Sequence, residues 1–452
     1  MNLLKKVFAF VLACLLVLPN INSVSAASEF DSATKLSLNT TVTSDIAKKT
    51  SKYYKIDLSH SGTYTVDYTF ESNKNSKIYV YDKDYNLVRS ITSISLNAAG
   101  LAKREFDLKL NPGVYYIKIT NDDFSAAGKY TFKTTFENAN ESFSEANKNN
   151  NTISNANNIN FETEYNGFIT MSDSKDFYKF TLNKKTKINI KYNFFFNDGY
   201  VYLFDVNGKE LWRDVPGNGY HDIDEKTGMF SDHYEVELEK GTYYLSLSAV
   251  ENIYNFENKG KFNFKVVRAL PFTDVYEGNW YYGAVANAYY GGLMTGATET
   301  LFKPNNNMNR GMVAIVFHRM EGAPKVNYSA VFPDVYNNQY YTTAVIWAKQ
   351  KGIINGYNNG TFMPLKNVTR EEMATMIYRF ARYKGVNVKA TKDISYFSDY
   401  KNITTYAKEP LQWCVEKGVM SGKLNGTKLD PLGNATRAEC SKMLVQANQV
   451  IY

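Results

Sequence analysis

The sequence predicts a multidomain chain of two all-β sandwiches followed by an all-α module of three tandem helical copies. Three observations carry this. Residues 27–268 alternate apolar and polar positions between Asn-, Asp- and Gly-rich turns, and do so twice over. Residues 269–452 repeat one pattern three times. At 452 residues with 44% hydrophobic residues, the chain is too long for one domain and apolar enough to fold.

Residues 1–26 read as a secretory signal peptide. Lys5 and Lys6 supply the charged start, VFAFVLACLLVL the apolar core, and Val24-Ser25-Ala26 a small-residue cleavage site. A lipoprotein signal would use Cys14, but LLVLP follows it, still inside the apolar core. No other stretch reaches the 18 apolar residues of a membrane span. The mature chain is therefore expected to be exported and soluble. It keeps two cysteines, Cys414 and Cys440, too few for a disulfide framework; both fall at apolar positions and read as buried thiols.

The β region is a tandem duplication, expected as domains 27–137 and 138–268. KYYKIDL (52–58) matches DFYKFTL (176–182), and KIYVYDKDYNLV (77–88) matches YVYLFDVNGKEL (200–211). NPGVYYIKIT (111–120) matches EKGTYYLSLS (239–248), and GKYTFKTTF (128–136) matches GKFNFKVV (260–267). The polar stretch 137–158 joins the halves.

The helical copies are expected at 269–325, 326–390 and 391–452. Asp274, Asp334 and Asp399 each lie two residues after a Phe. Gly292 and Gly296 match Gly352 and Gly356, then Gly418 and Gly422. Pro304, Pro364 and Pro431 each precede an arginine by six: Arg310, Arg370 and Arg437. Each copy reads as helix, glycine turn, helix. The first helices are expected over 281–290, 342–350 and 410–417, with the first glycine of each pair as C-cap. The second helices start at an Asn or Thr cap. Their apolar face is read as Met312, Ile315, Val316 and Phe317, then Met373, Met376, Ile377 and Tyr378, then Cys440, Met443, Leu444 and Val445. Thr369 with Glu372 and Thr436 with Glu439 form capping boxes; copy one has Met312 in place of the acid. An arginine in the first turn opposes the helix dipole, so the capping box does not explain the arginines.

The pattern F-x-D, Gly-x-x-x-Gly, G-T-F-x-P and T-R-x-E resembles the S-layer homology (SLH) domain of bacterial surface proteins. The resemblance covers about 180 residues and implies a pseudo-three-fold helical bundle. It implies that clefts between copies bind secondary cell-wall polysaccharide, often through a pyruvylated, anionic sugar, with Arg310, Arg370 and Arg437 as the motif arginines. A guanidinium grips a carboxylate bidentately, and open N–H groups at a helix start add anion affinity. The six glycines would let backbone approach the sugar. Trp280, Tyr340 and Tyr406 would stack on it or fill core. Asp274, Asp334 and Asp399 complete the candidate ligand set, and the alternative task for the arginines is a salt bridge to these aspartates. The basic C-terminal part, with 20 basic and 13 acidic residues from Ala269 onward, fits an anionic partner. The string DFYKFTL, VYLFD and GTYYL resembles the bacterial pre-peptidase C-terminal (PPC) domain. That resemblance implies a jelly-roll-like sandwich, some of whose relatives bind polysaccharide or protein.

Catalytic signatures are missing. His60, His221, His233 and His318 form no HExxH, and there is no GxSxG, P-loop or dinucleotide fingerprint. HDIDEKTGMFSDH and SDSKDF, the latter with Asp173 and Asp176, read first as polar turns and only second as metal sites. The expectation is a non-enzymatic, secreted cell-surface protein with no cofactor, no metal and no nucleic-acid partner. A wall-attached hydrolase and an S-layer lattice subunit are the alternatives.

Overall fold

The computed structural model describes residues 29–71, 76–92, 101–123, 127–143, 150–170, 173–196, 199–214, 223–224, 229–249 and 259–452. The expected signal peptide and His221 lie outside these residues. The chain divides into two compact units, 1–267 and 268–452.

The first unit holds two sandwiches. One comprises β1 (Thr34–Lys35), β2 (Thr41–Ile46), β3 (Thr50–Leu58), β4 (Gly62–Glu71), β5 (Ser76–Tyr81), β6 (Leu87–Ile91), β7 (Leu101–Leu110), β8 (Gly113–Asn121) and β9 (Gly128–Asn138). The other comprises β10 (Asn157–Asn158), β11 (Glu164–Phe168), β12 (Lys175–Leu182), β13 (Thr186–Phe194), β14 (Gly199–Phe204), β15 (Glu210–Asp214), β16 (Ile223–Asp224), β17 (Met229–Leu238), β18 (Gly241–Ala249) and β19 (Lys261–Arg268). Their sheets run β1-β3-β8-β5-β6 and β2-β9-β4-β7 in the first, then β10-β12-β18-β14-β15 and β11-β19-β13-β17-β16 in the second. Apart from the added β16 the two orders coincide strand for strand. Even the irregularities repeat. The β5–β6 ladder slips at Val80/Tyr81 and the β14–β15 ladder at Leu203/Phe204. The turn between each of those strand pairs is closed by an aspartate: Asp82 accepts from the N–H of Asp84 and Asn86, and Asp205 from those of Asn207 and Lys209.

Alternation explains the cores. In β4, Tyr64, Val66, Tyr68 and Phe70 point inward, against Tyr54, Ile56 and Leu58 of β3. In β13, Ile188, Ile190, Tyr192 and Phe194 face Tyr178, Phe180 and Leu182 of β12. β4 and β13 each bury one face, so their hydrophobic sets are fixed to the interior by a period of two.

The second unit has six helices in three pairs: α1 (Tyr282–Tyr290) and α2 (Arg310–Met320), α3 (Thr342–Gln350) and α4 (Arg370–Tyr383), α5 (Lys408–Glu416) and α6 (Arg437–Ile451). The third pair's first helix thus begins at Lys408 rather than Pro410. Gly292, Gly352 and Gly418 take φ of +73°, +70° and +69° just past the first helix of each pair. This left-handed stop suits glycine because it has no Cβ.

The second helix of copy one corrects the sequence register. Its fourth position is Val313, matching Met373 and Cys440, because Asn309, Thr369 and Thr436 are the N-caps. Val313, Val316 and Phe317 are buried, while Met312 and Ile315 are only half-buried. Copy one has the shorter apolar set, so matching Met to Met slid the register by one residue.

The copies close on one another at the centre of the unit. Met308 N–H donates to Ala435 O, Ala435 N–H to Val368 O, and Val368 N–H to Met308 O, at 3.0, 2.9 and 2.9 Å. Bridges Asn307–Thr436, Asn309–Asn367 and Thr369–Asn434 flank this cycle. The three side chains inside it are at most 1% exposed. Cys414 and Cys440 are free and fully buried, and burial lifts both thiols well above the usual thiol range.

Candidate functional site

The arginines define three joints. Each starts a second helix, and each reaches into the glycine turn of the next copy. Arg310 donates through Nε to Phe362 O at 2.8 Å and through Nη2 to Asn355 O at 3.1 Å. Arg370 does the same to Leu429 O (2.8 Å) and Ser421 O (2.9 Å). Arg437 returns to copy one, to Phe302 O (2.8 Å) and Thr295 O (2.7 Å). The repeated arginine is therefore a clamp between copies.

The acids facing the arginines differ from expectation. Arg310 pairs with Glu372 at 3.2 Å and Arg370 with Glu439 at 3.4 Å, both in the next copy. These glutamates do two jobs, since Glu372 and Glu439 also accept from the N–H of Thr369 and Thr436. Among the described residues, Asp274, Asp334 and Asp399 form an ion pair with no arginine. Each spends both carboxylate oxygens on two consecutive main-chain N–H groups: Phe302 and Lys303, Phe362 and Met363, Leu429 and Asp430.

The helix starts are also closed to anions, contrary to expectation. The first two amides of α2, at Arg310 and Gly311, donate to Lys366 O and Pro364 O. Those of α4 go to Gly433 O and Pro431 O, and those of α6 to Asn306 O and Pro304 O. The third amide in each goes to its Asn or Thr cap. Packing between copies uses the donors that an isolated helix would leave open. The second glycine of each pair is spoken for as well. A Cβ at Gly356 would lie 2.6 Å from Thr361 O and 2.8 Å from the Phe332 ring, and Gly296 and Gly422 meet Phe272 and Phe397 in the same way. Gly292, Gly352 and Gly418 face open space.

What remains accessible at the joint of copies two and three is a groove. The groove of copy three is a cavity of about 270 Å³ lined by Trp280, Arg370, Val419, Met420, Ser421, Gly422, Lys423, Glu439, Lys442, Met443 and Gln446. Three cations against one carboxylate give it an excess of positive charge. Burial lowers the Arg370 pKa, with Glu439 the main opposing influence; a guanidinium so placed keeps its proton. Lys423 bonds Glu439 at 3.0 Å and Asp430 at 2.9 Å. Lys442 lies 5.5 Å from the centre of the Trp280 ring. Trp280, Tyr340 and Tyr406 are 61%, 58% and 51% exposed, so none fills core. The two tyrosines are tied by their hydroxyls, Tyr340 with Asn309 and Tyr406 to Glu371.

Sequence reading missed Lys423 and Lys442. The available signal was departure from the repeat. The residue after the second glycine is Ala297, Tyr357 or Lys423, and the sixth position of the second helix is Ile315, Thr375 or Lys442. Only copy three puts a cation at both. Elsewhere, Asp176 accepts from Tyr178 OH at 3.3 Å, and His233 Nδ1 lies 3.8 Å from Asp232. Among the described residues no group of three or more His, Cys, Asp or Glu is placed to hold a metal ion, and no helix is long and apolar enough to cross a membrane.

Residues 271–311, 331–374 and 396–439 match the S-layer homology domain family. The chain thus carries three S-layer homology domains and is a cell-surface protein. It is 28% identical over 176 residues to an endoglucanase of Bacillus sp. (strain KSM-635), covering 39% of this chain and 18% of that one. It is 31% identical over 151 residues to the cellulosome-anchoring protein of Acetivibrio thermocellus, covering 32% of this chain and 33% of that one. The chain thus spans a third or less of either relative. Among solved structures, the pre-peptidase C-terminal domain of a Bacillus anthracis collagenase matches at 18% identity and a TM-score of 0.19, covering 25% of this chain and 93% of that domain.

Proposed function

We propose that the chain is a non-catalytic anchor. Its three S-layer homology domains, arranged as a pseudo-three-fold bundle, bind an anionic, pyruvylated secondary cell-wall polysaccharide. The two jelly-roll-like sandwiches are displayed as binding modules for an extracellular polysaccharide or protein. The observation that carries the reading is the copy-three groove. It combines an open aromatic face, two lysines and a clamped arginine with one carboxylate. Such a groove suits a sugar that carries a carboxylate, with the ring stacked on Trp280 and the charge near Lys423 and Lys442. The cyclic arginine clamp and the central hydrogen-bond cycle support the pseudo-symmetry. The cellulosome-anchoring relative is, by its name, an anchor. The endoglucanase relative is matched over only 18% of its length, so its name gives no reason to assign this chain a catalytic centre.

The test uses the full chain on purified cell walls, before and after the secondary polymer is extracted, with Trp280→Ala and Lys442→Ala beside it. Binding is expected to vanish with the polymer. Trp280→Ala is expected to weaken it about tenfold, the loss of roughly 1.4 kcal/mol of ring contact. Raised salt should weaken it further. Binding that survives extraction and both substitutions would make the wall partner something else, such as peptidoglycan.

A further inference from the structure

The polar stretch between the sandwiches has the composition of a loose tether, yet its residues are bound from both sides. Asn138 ends β9 in register with Gly62 of β4. That strand end is closely packed, since a Cβ at Gly62 would lie 2.2 Å from Glu137 O. Ala139 follows, 6% exposed, and donates its N–H to Ser61 O at 2.9 Å. It still belongs to the first sandwich.

Ser142 already belongs to the second. Its N–H donates to Asn166 O at 2.9 Å, and its Oγ accepts from Asn166 N–H at 2.7 Å. Asn166 lies in β11, the edge strand of its sheet, so this pair of bonds occupies part of an otherwise open edge. Phe143 then packs on the second core. Its ring stacks on Tyr165 at 5.3 Å and 9° and lies tilted on Tyr178 at 5.8 Å. Further on, Asn150 O accepts from Phe177 N–H at 2.8 Å, so this stretch too is held by the second sandwich.

Only Asn140 and Glu141 lie between Ala139 and Ser142. Asn140 takes φ +54°, a left-handed conformation that Asn adopts more readily than most residues. Its N–H donates to Asn138 Oδ1 at 2.8 Å, an Asx turn that fixes the direction in which the chain leaves β9. Beside the crossing, Glu137 of β9 forms an ion pair with Lys261 of β19. That pair is half exposed and adds little energy, but it sets the end of β9 against the start of β19. A flexible tether needs several residues free of contacts on either side. This crossing has two, one of them held in a turn.

We propose that the two sandwiches form one rigid body, locked at residues 139–143. They then meet a partner as a single surface with two sites, not as two independently tumbling modules. That consequence rests on the reading of the sandwiches as binding modules; the lock itself does not. With spacing and orientation fixed, a partner that repeats at the matching interval engages both sites at once and gains avidity, while one of another spacing engages a single site.

The test measures the lock without any ligand, so it stands apart from whether the sandwiches bind. Asp57 on β3 and Thr181 on β12 are equivalent, exposed positions of the two sandwiches. The double variant Asp57→Cys, Thr181→Cys places one spin label on each, while Cys414 and Cys440 are buried and escape labelling. Pulsed dipolar spectroscopy of the full chain is expected to give one narrow distribution of distances between the labels. Inserting Gly-Ser-Gly-Ser between Asn140 and Glu141 lengthens the free span and touches neither core. The distribution should then widen at least about twofold. A distribution already as wide without the insertion overturns the rigid body. One that stays narrow with the insertion overturns residues 139–143 as its lock.

Discussion

Arg370→Ala is expected to destabilise the three-copy unit by about 3–5 kcal/mol, the usual loss when one partner of a buried ion pair is removed. The Arg370 side chain is 5% exposed and that of Glu439 14%, so solvent does little to screen the pair. The substitution leaves Leu429 O and Ser421 O without their donors and Glu439 facing only Lys423. For a unit of this size the midpoint of thermal unfolding should fall by about 10 °C. Wall binding should fall with it, because the cavity is built on the same joint. Loss of binding in Arg370→Ala alone is thus no proof that the arginine touches ligand. Arg437→Ala provides the internal comparison. It breaks two carbonyl bonds but strands no carboxylate, so it should cost only about 1–2 kcal/mol. Equal losses at the two positions, measured by thermal unfolding of the full chain, would sink the account of Arg370 as an ion-paired clamp.

The sequence made the repeats legible because they are written in small, rigid signals. A left-handed glycine, a capping box and a period-two strand each have a local physical cause, and all three occur where the residues indicated. The duplicated sandwich is equally local, down to the aspartate-closed turns at Asp82 and Asp205. What sequence did not convey was which copy each side chain would meet. Arg310, Arg370 and Arg437 looked like residues left over after the helix start was explained, and the aspartates looked like their natural partners. In the folded unit each arginine reaches a neighbour some 45 residues or more away in sequence, as from Arg310 to Asn355. The aspartates stay within their own copy and hold the turn. The glutamates of the capping boxes are half local and half distant, one oxygen on the cap and the other on an arginine. A local motif thus explained Glu372 and Glu439 so well that it concealed their second task. Lys423 and Lys442 were invisible for the opposite reason: they belong to no motif, and only the meeting of copies one, two and three brings them beside Trp280.

Asp334 distinguishes a ligand residue from a structural one, and Asp334→Ala is the second large effect expected. Its oxygens accept from Phe362 N–H at 2.8 Å and Met363 N–H at 2.7 Å. Met363 sits at φ +55°, a left-handed conformation that a residue with a Cβ adopts only under constraint. Phe362, the plug held by this turn, is fully buried and also accepts the bond from Arg310 Nε. The carboxylate therefore fixes a strained turn, a buried ring and one joint together. Two charge-assisted bonds of this kind contribute about 3 kcal/mol, so Asp334→Ala should cost about that much in urea unfolding of the full chain. Asp334→Asn should recover little, because an amide presents a donor to one of the two N–H groups where the carboxylate presents an acceptor. The cavity at Trp280 does not include Asp334. Under conditions where the Asn variant is fully folded, its affinity for walls should therefore match wild type. A variant that keeps its unfolding midpoint but loses affinity would reverse the assignment and return Asp334 to the ligand set.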